Sequence, residues 1–281
     1  MKKDAPFHRT EVLPREEYVE QAYLFKTLRE RMTSTATQEL MLSLRHEILA
    51  TTQLPMAMEF MYMELKHSGE MTPAMRKMTH YFTPFQTYIM MEAEREGGKF
   101  DFQTALEILE KEASCRANGM SRPGMFMYQL EAVSRNRLRY DMALAAMADD
   151  PIYNDDWREW ILIVRRQLGI IEIADLIYVR SEYYRIQKKI TLQPPEKPVL
   201  FGEKEGRIAL ATRRKDPVFL FSALQRHLDY PTVPRRKSEE TEEFLLPKLL
   251  RTVDKLEARV KLLEEEMRGG IDITRFYVKE K

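Results

Sequence analysis

The chain has 281 residues, 44% of them hydrophobic, enough for one large domain or two with a real core, so it is neither disordered nor fibrous by composition. Its 45 basic and 44 acidic residues leave a net charge of +1, which excludes the whole-molecule electrostatic footprint of a nucleic-acid or membrane-surface binder. Cys115 is the single cysteine, which rules out an intramolecular disulfide and a thiolate zinc site, and the ten glycines never form the GxGxxG or GxxxxGK patterns that cradle phosphates.

The opening MKKDAPFHRTEVLPREEY lacks the apolar core of a signal peptide, and no window reaches the eighteen or so apolar residues of a membrane span. Together with the lone cysteine, this leads us to expect a soluble, cytoplasmic protein with no membrane partner. Long segments of 3.6-residue periodicity, with few alternating ones, predict an all-α protein. The expected architecture is a multi-helix bundle or a short α-solenoid-like domain, followed by a C-terminal coiled-coil helix.

Pro14 suits the first turn of a helix whose face runs through Tyr18, Ala22, Phe25, Leu28 and Met32. A second helix begins near Thr37 and carries Leu40, Met41, Leu44, Ile48 and Leu49. A third follows Pro55 and is rich in methionine, with Met56, Met58, Met61 and Met63 around Phe60, Tyr62 and Leu65 before Gly69. Core filling is the favoured reading of that cluster, ahead of an adaptable groove for a partner helix and of a thioether copper site. Thr72-Pro73 starts a short turn of helix. Thr83-Pro84-Phe85-Gln86 is a clear helix start, with an N-cap hydroxyl, proline at the first position and a capping-box glutamine. Asp101 caps the next helix, in which Phe102, Leu106, Leu109 and Ala113 form the buried stripe before Gly119. After Pro123-Gly124, one long helix is predicted through Tyr128, Val133, Leu138 and Met142 to Ala148, ended by Asp150-Pro151. The helix starts are spaced by roughly twenty residues without a recurring signature, which favours a bundle over a solenoid.

Residues 154–189 are predicted to form a helical hairpin on which residues 1–190 are organised. Trp157, Trp160, Ile161, Val164 and Leu168 share one face of its first arm, with Asp156 and Glu159 at capping-box spacing and Asn154, Asp155 and Asp156 placing acceptors at the first-turn amides. Gly169 stops that arm, and Ile170, Ile173, Ala174, Ile177 and Tyr184 trace one stripe of the second. So short a connection implies that the two arms pack on each other. The aromatic stripe reads as core rather than as a tryptophan-lined ligand cage.

Residues 191–237 form a basic connector with six of the fourteen prolines and two short helices, one over 203–214 and one capped by Asp216-Pro217. From Arg180 to Lys237 there are fourteen lysines and arginines against six acids, a difference of +8, with Arg213, Arg214 and Lys215 as candidate phosphate contacts. Residues 238–281 hold the most specific pattern in the chain. Leu249, Val253, Leu256, Val260, Leu263 and Met267 keep coiled-coil spacing, with leucine at d and valine at a, the combination that favours a parallel two-stranded coil. Gly269-Gly270 ends this helix before the β-prone tail IDITRFYV.

Chemical motifs are sparse. Glu64 and His67 make one E-x-x-H, whereas helical di-iron sites need two such pairs and two further glutamates. His46-Glu47 is followed by Ala50 where a zinc protease needs histidine. Cys115 has no histidine near it in sequence and reads as a buried inert thiol, while His80 and His227 are isolated. No catalytic residue, cofactor or metal is therefore assigned. The strings HYFTPFQ, DPIYNDDWREWI and LFGEKEGRIA resemble segments of a conserved bacterial protein family of unknown function, and the resemblance implies bacterial, cytoplasmic origin but no activity, cofactor or site residue.

The expected function is that of a non-enzymatic interaction, scaffold or assembly protein. Its expected partner is itself, through a parallel homodimeric coiled coil, or another helical protein. The alternative is a nucleic-acid-associated accessory factor using the basic 180–237 stretch, and a weaker alternative is a helical metal-binding enzyme using Glu64 and His67.

Overall fold

The computed structural model describes residues 12–32, 35, 37–95, 100–190 and 197–235. The chain divides into two compact units, 1–236 and 237–281, and every described residue belongs to the first. The coiled-coil seam from Leu249 to Met267 and the tail beyond it lie outside the described residues. Among those described there are thirteen helices and no strand: α1 Arg15–Arg31, α2 Thr37–Leu44, α3 Leu54–Ser68, α4 Thr72–Lys77, α5 Pro84–Glu94, α6 Phe102–Ala117, α7 Arg122–Arg135, α8 Tyr140–Ala148, α9 Asp155–Gln167, α10 Ile173–Val179, α11 Glu182–Lys188, α12 Glu203–Thr212 and α13 Pro217–Leu228. The fold is all-α.

Several helices start where the local chemistry dictates. Thr83 and Gln86 exchange both bonds of a capping box at the start of α5, so two otherwise unpaired amide donors are satisfied. Asp101 accepts from the Thr104 amide and Asp216 from that of Val218. At α9 the cap is Asn154, which accepts from the Trp157 amide, rather than the Asp156–Glu159 pair that the spacing suggested.

α1 lies along α6 in the most extensive helix pair of the unit, although some seventy residues separate them in sequence. A solenoid would join each repeat only to its neighbours, so this long-range pair marks a bundle. α5 packs on α6 and α8, and α13 returns to α7.

Four expectations need correction. The predicted long helix after Pro123 is two helices, α7 and α8. Arg137 takes the left-handed conformation (φ 53°), and the Leu138 amide reaches back to the Val133 carbonyl at 3.0 Å, a Schellman-type stop built without glycine. The second arm of the predicted hairpin is likewise two helices, α10 and α11, parted at Arg180 by the N-cap Ser181, so Tyr184 is not on one stripe with Ile173 and Ile177. The arms also choose other partners: α9 packs chiefly on α8, and α10 on α12. Gly169 does terminate α9, at φ 94°, but Ile170 beside it is 85% exposed instead of opening a buried face.

The tryptophans sit in core. Phe126 lies 4.8 Å from Trp160 between ring centroids, and Phe201 lies 5.2 Å from both Trp157 and Trp160. Trp157 is 4% exposed and Trp160 1%, so their rings are occupied by other aromatics and leave no cage.

Candidate functional site

Two places in the unit gather unusual side chains. The first is a buried polar layer. Glu112 and Arg116 stand one turn apart on α6 and face inward. The Arg116 guanidinium donates to Glu112 Oε1 through Nε at 2.7 Å and to Asp150 Oδ1 through Nη1 at 3.0 Å, with all three side chains at most 2% exposed. Gln86 Nε2 donates to Glu112 Oε2 and to Gln21 Oε1, both at 3.0 Å. Gln129 reaches both carboxylates at 3.4 Å and accepts from the Tyr153 hydroxyl at 2.8 Å. Burial alone would lower the Arg116 pKa, but the Asp150 and Glu112 carboxylates hold it well above the usual value. Two acids and an arginine look like catalytic equipment, yet these groups are spent on one another and closed off from solvent. They tie α1, α5, α6, α7 and the α8–α9 loop together.

The second place is a surface groove of about 570 Å³. Leu130 of α7, Tyr140 of α8, Arg165 of α9, Phe221 of α13 and the turning stretch from Leu168 to Ile173 at the start of α10 contribute to its walls. The turn exists because Gly169 is left-handed and the Ile170 and Ile171 amides both bond the Gln167 carbonyl at 2.9 Å. This projects Ile170 outward. Val218 and Phe219, at the start of α13 next to the lining Pro217, are 51% and 60% exposed. Such concentrated exposed apolar surface is uncommon on a chain that stands alone.

The ionic groups around this groove have definite assignments. Arg165 binds Asp141 with two bonds of 2.7 and 2.8 Å, which lowers the Asp141 pKa. Glu172 accepts from the Arg214 backbone amide at 2.8 Å, and Arg213 pairs with Asp175 while lying 6.0 Å from the Tyr178 ring centroid. The basic triplet Arg213, Arg214 and Lys215 therefore stands beside the groove, with Arg213 already engaged.

The remaining candidates are dispersed. Glu64 pairs with Lys77, and His67 is exposed. Among the described residues, no group of three or more histidines, cysteines, aspartates or glutamates is placed to hold a metal ion. Cys115 is buried, and burial pushes its thiol up to about 12. His80 is exposed, and His227 Nε2 lies 3.3 Å from Glu205 Oε1. The methionine cluster divides by helix face: Met58 and Met61 are in the core, while Met56 and Met63 are 76% and 56% exposed. No described helix is long and apolar enough to cross a membrane.

Sequence reasoning missed both places. Glu112 and Arg116 carried a weak signal, a charged pair beside the apolar stripe of Leu109 and Ala113. The groove carried none, because Ile170 and Ile171 directly after Gly169 read as the first buried turn of a helix. Comparison of the chain with protein-family models, with curated proteins and with solved structures gives no significant match. The strings HYFTPFQ, DPIYNDDWREWI and LFGEKEGRIA hold core contacts: Tyr81 and Gln86, then Asp150 and Tyr153, supply the polar layer and the bonds joined to it, and Phe201 packs on both tryptophans.

Proposed function

We propose that this is a non-enzymatic interaction and assembly protein, whose helical unit offers the groove to one helix of a partner protein. The carrying observation is Ile170, 85% exposed at the lip of an apolar groove to which five helices contribute. Leaving a large aliphatic side chain in water forgoes roughly 1.5–3 kcal/mol of burial, which a docked partner would recover. The seam Leu249, Val253, Leu256, Val260, Leu263 and Met267 adds a second interaction element and pairs two copies in parallel. The reading is also supported by the commitment of the most deeply buried ionic groups to internal bonds. A nucleic-acid role for the basic 180–237 stretch has weaker support, because Arg213 is already paired with Asp175.

Light scattering on the full-length chain and on a chain truncated after Lys237 tests the pairing. The expected masses are those of a dimer and a monomer, and Val253→Glu with Val260→Glu should reproduce the effect of truncation. A full-length monomer would overturn the homodimer.

A further inference from the structure

We draw no further inference here: the strongest candidate, the apolar groove walled by α7, α8, α9, α10 and α13, belongs to the site already described, and with Glu172 and Asp216 balancing Arg214 and Lys215 along its edge nothing in the structure shows what covers it.

Discussion

Arg116 shows how one residue sets the energetics of its surroundings. It is the cation for two carboxylates, and all three side chains are closed to solvent. Arg116→Met would leave Glu112 and Asp150 uncompensated and should destabilise the unit by about 3–5 kcal/mol in urea denaturation. Adding Glu112→Gln and Asp150→Asn should recover part of that loss, because the burden is the stranded charge. Cys115 lies one residue away and makes a different prediction. Its thiol, ordinarily at 9.0, is pushed up to about 12 by burial first and by Glu112 second. The folded chain therefore holds this proton through a range in which the unfolded chain releases it. Its contribution to stability is complete below pH 9.0 and falls as pH rises toward about 12. At pH 8, iodoacetamide should label native Cys115 slowly and the urea-unfolded chain rapidly, and fast native labelling would contradict the burial.

At the scale of elements, the joints decide more than the helices. Ser181 ends α10, caps α11 through the Tyr184 amide and meets α12 at Gly206. A Cβ added at Gly206 would lie 2.2 Å from Ser181 Oγ and 2.8 Å from Tyr183 Cβ. Gly206→Ala should thus cost about 1–3 kcal/mol, read as a lowered denaturant midpoint, because Ser181 Oγ is held by the Tyr178 carbonyl and the Tyr184 amide and the Cβ atoms of Ser181 and Tyr183 are fixed to the backbone. An unchanged midpoint would show that α12 does not sit this close. The left-handed stop at Arg137 is the joint between α7 and α8, and together with the Ser181 cap it explains why two long apolar patterns became four helices.

Across the unit, the connector itself returns to the bundle. Lys111 Nζ donates to the Thr232 carbonyl, Asn136 Nδ2 to the Pro234 carbonyl, and the Tyr230 hydroxyl to Glu131 Oε2 at 2.7 Å. With α12 on α10 and α13 on α7, residues 197–235 share the core of the preceding helices. Trp157 and Trp160, the two tryptophans of the chain, touch Phe201 and report on that junction. In the chain truncated after Lys237, tryptophan fluorescence and far-ultraviolet circular dichroism should therefore unfold with one midpoint. A fluorescence transition that precedes the loss of helix would mean that the return segment detaches independently.

The sequence by itself determined the helical class, the buried faces of α1, α6 and α9, and the starts at Thr83, Asp101 and Asp216. These depend on groups within a turn or two of one another: periodicity sets the face, and the unpaired amides of the first turn select the cap. Tertiary structure alone decided that α9 would pair with α8 and α10 with α12, and that Arg116 would meet Asp150 across 34 residues. It also decided that Ile170 would face solvent while Ile173, three residues on, is buried. An apolar residue has the same local preference whichever surface eventually covers it, so its partner is chosen by the competition among all the faces in the folded unit.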